Sequence, residues 1–209
     1  MTLPRITALE PDPRRPGVVR LEVDGSRFGV ISREVMGQEA LSLGRELDGA
    51  LYRRLSEAAD IEAAYNTILR ALEVRSYAQR DLARRLLRKG HSRPAVEAAL
   101  ERASELGILD DAAFARNYVE TRAARGRGPS RLTRDLLALG VQRTLIDEAI
   151  RSQWPEGCDR TGLPLALAQK RAAQLASLPR QTKRRRVVAY LARRGFTGRD
   201  ITELVETVL

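Results

Sequence analysis

The chain has 209 residues, with 37 Lys and Arg residues against 27 Asp and Glu residues, for a formal net charge of +10 at pH 7. Apolar residues make up 43% and charged residues 31%, which is typical of a folded globular protein. The sequence contains no run approaching the roughly 20 apolar residues of a membrane span. Its first residues also lack the apolar run of a secretory signal, so we expect a cytoplasmic protein with no membrane partner.

Composition also argues against most enzyme classes. His91 is the single histidine and Cys158 the single cysteine, which excludes paired-histidine catalysis, a cysteine metal cluster and an internal disulfide. No phosphate-binding glycine loop and no serine nucleophile motif is present. We interpret both residues as structural or incidental, and expect no catalytic residue, no metal and no cofactor.

The first 60 residues are predicted to begin with a small antiparallel sheet. Within Val18–Val23 apolar residues alternate from Val19 onward, an apolar strand returns over residues 27–31, and the Asp24-Gly25 pair between them is typical of a tight hairpin turn. Residues 6–9 can add a third strand. Two short helices are expected to follow, one starting at Ser32 and one over residues 47–55.

From residue 61 onward the pattern is helical and repeats itself. Alignment on Gly90, Gly140 and Gly195, spaced 50 and 55 residues apart, places apolar residues at the same positions each time. The repeated sets are Leu82, Leu132 and Val187; Leu86, Leu136 and Leu191; Val96, Ile146 and Ile201; and Leu100, Ile150 and Val205.

We therefore predict a mainly all-α protein with an N-terminal extension over residues 1–60 and three tandem three-helix repeats over residues 61–108, 109–154 and 162–209. Within the first repeat, helices are expected over residues 61–72, 77–89 and 93–105. Since one such unit buries little apolar surface alone, neighbouring repeats are expected to stack into an elongated curved array.

Several residues are predicted to mark the ends of these helices. Gly90, Gly140 and Gly195 can adopt the left-handed conformation that closes a helix. Ser92 and Asp110 are suited to capping the helices that follow them, whereas Gln142 is a poorer cap. Thr197 with Asp200 resembles a capping box, in which two side chains satisfy the first N–H groups of a helix.

The basic residues are concentrated in the repeats. Residues 1–60 hold 9 basic and 10 acidic residues, whereas residues 61–209 hold 28 and 17. Three blocks account for much of the surplus: residues 75–93 carry seven bases and one acid, residues 122–134 carry five bases and no acid, and residues 180–194 carry seven bases and no acid. Acids collect in the segments that follow these blocks.

Because 34 of the 37 basic residues are arginine, genome composition can explain the total. A solvated helix face can explain any single block. Three blocks in register favour a surface that meets a polyanion or an acidic protein, with the acidic segments facing elsewhere.

Parts of the sequence resemble a known family. The stretch over residues 106–115, then Tyr118, Val119 and Arg122, then residues 125–129 with Arg131 and Leu132, is similar to the central motif of the RecX family. Residues 81–90 are similar to the first repeat of that family, and residues 6–10 with the Val23-Asp24-Gly25 turn are similar to the extension of its longer members. The resemblance covers nearly the whole chain.

This resemblance implies a regulator that binds the RecA recombinase filament on DNA and, in most members, restrains its ATP hydrolysis, strand exchange and coprotease activity, as in DNA repair, recombination and the SOS response. The expected partners are the RecA filament and the phosphate backbone of single- and double-stranded DNA, and the protein is expected to be a monomer. The predicted contact residues form a first cluster (Arg84, Arg85, Arg88 and Lys89), a second cluster (Arg122, Arg125, Arg127, Arg131 and Arg134) and a third cluster (Lys183, Arg184, Arg185, Arg186, Arg193 and Arg194).

Two other interpretations remain open. The first is a general DNA-binding module of helix-turn-helix type, although the helices that would read bases are acidic here. The second is a scaffold that is basic only through genome composition. Binding to RecA filaments and to DNA, before and after charge reversal over residues 183–186, separates both interpretations from the regulator.

Overall fold

A computed structural model describes residues 3–156 and 161–209. Cys158 lies outside the described residues, so its interpretation as an incidental thiol stays a prediction. The chain separates into two compact units, Met1–Leu109 and Asp110–Leu209, and each is described by itself below. No helix within residues 3–156 and 161–209 combines the length and the apolar character of a membrane span.

The first unit begins with a three-stranded antiparallel sheet. Its strands are β1 (Ile6–Pro11), β2 (Val18–Val23) and β3 (Ser26–Ser32), in the order β1-β2-β3. Asp24 and Gly25 both adopt positive φ angles, 50° and 73°, as a two-residue hairpin turn requires. The predicted hairpin and third strand are therefore confirmed, with the third strand extending to Pro11.

Two helices follow the sheet, and the second is much longer than predicted. Helix α1 (Arg33–Gln38) begins at Ser32, whose side chain accepts a hydrogen bond from the Val35 N–H, as expected. Helix α2 (Gly49–Val74) is continuous over 26 residues and is capped by Asp48. The prediction of separate helices over residues 47–55 and 61–72 is therefore wrong, and residue 60 lies within α2.

Helix α2 is continuous because its two halves contribute to two cores. Leu51 and Leu55 pack with the sheet residues Leu21 and Ile31, whereas Ile68 packs with the helices that follow. No glycine or proline interrupts residues 50–74, so nothing in the backbone stops the helix between the two cores.

The rest of the first unit is a pair of helices packed on the second half of α2. These are α3 (Gln79–Arg88) and α4 (Arg93–Glu105), with α4 lying along α2. Leu82 and Leu86 are fully buried between them. Ser92 caps α4 by accepting a hydrogen bond from the Ala95 N–H, as predicted.

Asp60 ties the middle of α2 to the turn before α4. One carboxylate oxygen lies 2.7 Å from His91 Nδ1, and the other accepts a hydrogen bond from the Ser92 N–H at 2.9 Å. Partial burial acts to raise the pKa of Asp60, but the hydrogen bonds from His91 and Ser92 outweigh it and leave the pKa below its ordinary value.

We expect Asp60→Asn to lower the free energy of unfolding by about 1–2 kcal/mol at pH 7, because the charged hydrogen bonds are lost. The folded-state pKa is depressed, so the stabilisation is complete above the unfolded-state pKa of about 3.9 and is lost as pH falls through the folded-state value. Urea unfolding followed by circular dichroism should show the difference between variant and parent shrinking below about pH 4. Glu57→Gln, an exposed change on the same helix, is the control; an equal effect would contradict the role of Asp60.

The second unit contains two consecutive groups of three helices. In each group the first helix packs on the third: α5 on α7 and α8 on α10. The helices are α5 (Asp111–Ala123), α6 (Pro129–Leu139), α7 (Arg143–Gln153), α8 (Gly162–Ala173), α9 (Arg180–Arg194) and α10 (Arg199–Val208).

The repeated apolar positions form the cores of these groups. Leu132, Leu136, Val187 and Leu191 are fully buried, like their counterparts in the first unit. Ile150 and Ile201 depart from the pattern, because they are only half-buried on the third helices of their groups.

Most helix ends in this unit agree with the sequence. Asp110 caps α5 by accepting hydrogen bonds from Ala112 and Ala113, and Gln142 makes no capping bond. Gly140 and Gly195 close α6 and α9 with left-handed backbone.

The capping box predicted at α10 is wrong. Gly198, rather than Thr197, is the residue that precedes the helix, and it makes no side-chain cap. The Thr197 hydroxyl instead lies 3.0 Å from the hydroxyl of Ser130 at the start of α6, so a contact between repeats replaces the local cap.

Candidate functional site

The first cluster lies on α3 and at Lys89 just after it, on the side away from the core. Arg84, Arg85, Arg88 and Lys89 are all exposed, whereas Leu86 between them is fully buried. Arg84 lies 3.9 Å from Asp81 in a loose ion pair, and Arg85 donates a hydrogen bond to the Tyr77 hydroxyl at 3.1 Å. Because Leu82 and Leu86 lie four residues apart on the buried face of α3, the cations between and after them point towards solvent.

Some members of the second cluster are engaged within the protein. Arg127 and Arg131 both pair with the Asp135 carboxylate, at 2.7 Å and 2.9 Å, the latter as an ion pair without aligned hydrogen-bond geometry. Arg122 is half-buried, with its guanidinium 3.9 Å from the centre of the Tyr118 ring. The Arg122 contact lies within α5 and the Arg131 pair within α6, whereas Arg127 ties the loop between these helices to α6.

The other two members of the second cluster are free of such contacts. Arg125 and Arg134 are exposed, and no carboxylate within residues 3–156 and 161–209 forms an ion pair with either. A guanidinium without an internal acid keeps its charge and its N–H donors available for an external anion.

The third cluster, on α9, is divided in the same way. Arg184 forms an ion pair with Glu206 of α10, and Arg180 lies 3.7 Å from the same carboxylate. The expectation that the acids of the third helices face away from the cations is therefore wrong at Glu206, because α10 packs against α9. Three members are exposed and have no carboxylate partner in the part of the chain that the structure describes: Arg185, Arg186 and Arg193. Lys183 also has no carboxylate partner in that part of the chain, but its side chain is half-buried.

A backbone junction brings the second and third clusters together. The Gly128 N–H donates to the Arg194 carbonyl at 2.7 Å, and the Ser130 N–H donates to the Gly195 carbonyl at 3.2 Å. The Arg194 side chain returns across the junction to the Gly126 carbonyl at 3.3 Å. The loop before α6 is thereby fixed to the end of α9.

Glycine is required on both sides of this junction. A Cβ on Gly128 would lie 2.5 Å from the Gly195 carbonyl oxygen, and a Cβ on Gly195 would lie 2.4 Å from the Arg131 N and Cβ atoms. Real Cβ atoms do not approach backbone this closely, so the glycines permit the contact that sets the positions of Arg127, Arg131 and Arg194.

Three residues beside the first cluster were not predicted as part of a site. Arg70 of α2 and Tyr77 line a small pocket together with Arg85 and Lys89, and the Arg75 guanidinium lies 3.8 Å from the centre of the Tyr77 ring. Arg75 could have been included because it belongs to the first basic block. Arg70 lies outside that block and is brought there by the packing of α2 on α3.

Taken together, the described helices define a tandem helical-repeat protein that carries clusters of exposed cations. Sequence comparison then shows which family of helical-repeat proteins it resembles. The model for the second three-helix domain of RecX matches residues 110–150, and the model for the third three-helix domain matches residues 165–205.

Curated relatives agree with these matches. The chain is 35% identical over 149 residues to Regulatory protein RecX of Halorhodospira halophila, covering 70% of this chain and 89% of that protein. It is 32% identical to Regulatory protein RecX of Chlorobaculum tepidum over 70% and 89% of the two chains, and 34% identical to that of Streptomyces coelicolor over 66% and 72%. The chain belongs to the RecX family, as the resemblance in the sequence indicated.

A solved structure shows the same fold. The crystal structure of a regulatory protein RecX superimposes with a TM-score of 0.78 at 24% sequence identity, covering 98% of this chain and all of that chain. The predicted mainly all-α fold with a small N-terminal sheet is confirmed by this match and by the elements described above.

Proposed function

We propose that this protein binds the RecA recombinase filament on DNA and lowers its ATP hydrolysis, strand exchange and coprotease activity. Membership of the RecX family supports the regulatory role. The observation that carries the binding mode is the set of exposed arginines without internal acids, on two repeats whose backbones are hydrogen-bonded to each other: Arg125, Arg134, Arg185, Arg186 and Arg193.

The proposed mode of action is binding rather than catalysis. A protein filament on DNA offers phosphates and acidic side chains at repeated positions, and several exposed cations on one protein can engage several of them at once. Each exposed ion pair contributes little, about 0–1 kcal/mol. Several together release many counterions from DNA, which gives strong and salt-dependent binding.

Arginine is well suited to this role. Its planar guanidinium donates two parallel hydrogen bonds to a phosphate or carboxylate, and it stays charged at any physiological pH. We infer that the domain organisation is the predicted extension and three repeats, with helix α2 shared between the extension and the first repeat, and that the protein acts as a monomer in the cytoplasm.

The direct test is to add the protein to RecA filaments formed on single-stranded DNA and to follow ATP hydrolysis and filament length. We expect hydrolysis to fall as the protein is added and filaments to shorten. No change in either quantity at any ratio would contradict the proposal.

A second arm distinguishes regulation from simple competition for DNA. Excess bare single-stranded DNA added after filament formation should leave the inhibition largely in place if the filament is the target. Complete relief by bare DNA would instead indicate the general DNA-binding module.

A further inference from the structure

A small basic pocket lies in the first unit between the last turns of α2 and the end of α3. Its volume is about 150 Å³, and its walls include Arg70 of α2, Arg85 of α3, Lys89 just after α3, and the side chains of Val74 and Tyr77. Only two of these cations, Arg85 and Lys89, belong to the first cluster. The pocket is therefore a more specific feature than the exposed face of α3.

Three cations meet at this pocket without an acid. No carboxylate lines it, and Arg70, Arg85 and Lys89 make no ion pair with any carboxylate of residues 3–156 and 161–209. Like charges gathered around one small space repel each other. An anion bound among them is attracted to all three cations and offsets that repulsion.

The pocket is held in shape by Tyr77. This side chain is 8% exposed, and its hydroxyl accepts a hydrogen bond from Arg85 at 3.1 Å. The Arg75 guanidinium lies 3.8 Å from the centre of the same ring. Arg85 is therefore positioned before any ligand arrives, so less conformational entropy is lost on binding.

The shape and surroundings of the pocket favour phosphate over carboxylate. A phosphate group presents oxygen atoms in several directions, and the cations approach from two helices, whereas a carboxylate presents two oxygens along one edge. Val74 is 82% exposed beside the cations, which suits the apolar C–H surface of a sugar next to the phosphate.

We propose that this pocket binds one backbone phosphate of a nucleic acid strand. The proposal deepens the proposed function and rests on it for its biological setting, because it assigns a DNA contact to the first repeat. Arg70 and Tyr77 become parts of the site: Arg70 contacts the phosphate, and Tyr77 positions Arg85.

The test compares two triple variants with equal loss of charge. Arg70→Gln, Arg85→Gln and Lys89→Gln together remove the pocket cations, and Arg80→Gln, Arg93→Gln and Arg116→Gln together remove three exposed cations that do not line it. Binding of each full-length variant to a fluorescently labelled oligothymidylate is measured by anisotropy over a range of salt concentrations.

We expect the pocket variant to bind about tenfold more weakly at low salt, and the slope of log K against log salt to fall by about 0.7 for the one lost phosphate contact. The control variant should show a much smaller loss of affinity and a much smaller change in the slope. Equal losses in the two variants would overturn the proposal, because general electrostatic attraction would then account for binding. Lys89→Gln alone provides a second measurement, since Lys89 is exposed and its loss does not threaten folding; it should weaken binding about two- to threefold.

Two further outcomes distinguish a failure of the phosphate site from a failure of the proposed regulation of RecA. If the pocket variant binds the oligothymidylate normally but no longer binds RecA filaments, the pocket accepts acidic protein side chains and the phosphate assignment is wrong. If the pocket variant loses DNA binding while the parent protein leaves RecA hydrolysis unchanged, the phosphate site is supported and the proposed regulatory function is contradicted.

Discussion

Replacing Gly195 by alanine is expected to lower the free energy of unfolding of the second unit by about 3 kcal/mol. Gly195 has a φ of +96°, where a side chain is strained, and its new Cβ would lie 2.4 Å from Arg131 and 2.7 Å from the Gly128 oxygen. Separation of these atoms would break the hydrogen bonds that join α6 to α9. Trp154, the single tryptophan, lies in the second unit, so its fluorescence during denaturant unfolding measures the effect.

Gly90→Ala is the matched control. Gly90 has nearly the same φ, +91°, in the first unit, but nothing lies within 4 Å of a Cβ built there. Only the backbone strain of about 1–2 kcal/mol applies, and it should be seen by circular dichroism without a shift of the Trp154 transition. If Gly195→Ala costs no more than Gly90→Ala, the close junction does not contribute to stability.

Reversing three free cations of the third cluster should weaken binding to RecA filaments about hundredfold near 0.1 M salt. The variant carries Arg185→Glu, Arg186→Glu and Arg193→Glu, which replaces attraction by repulsion without breaking any internal ion pair in the described chain. Anisotropy of the labelled protein with preformed filaments measures the change, and inhibition of ATP hydrolysis should fall with it.

The control has the same net charge and lies in the same unit. Arg116→Glu, Arg143→Glu and Arg199→Glu reverse three cations outside the clusters, two of which pair with acids four residues along their own helices. Binding should fall by less than about tenfold. Equal losses in the two variants would show that total charge, rather than the position of the third cluster, governs binding.

The parts of the fold that depend on residues close together in the sequence could be predicted from it. The hairpin follows from the Asp24-Gly25 turn, and the start of α4 follows from Ser92, because a turn or a cap needs only residues nearby in the chain. The length of α2 could not be predicted in this way. Its continuity depends on packing against a sheet at one end and two helices at the other.

The same distinction applies to the candidate site. Three dense blocks of arginine were visible in the sequence, and the structure places most of their side chains at the surface. The sequence could not show that Glu206 of α10 reaches Arg184, or that Asp135 holds both Arg127 and Arg131, because these pairs depend on how helices pack. Arg70 was missed for the same reason, since it is brought to the pocket from another helix.

Helix α2 has a consequence for how the first unit loses its structure. Because Leu51, Leu55 and Ile68 extend from one continuous helix into two separate cores, melting of either core frees the end of the helix that holds the other. The N-terminal sheet and the first repeat should therefore behave as one cooperative folding unit, and deletion of the strands would leave an apolar stripe of α2 open to aggregation.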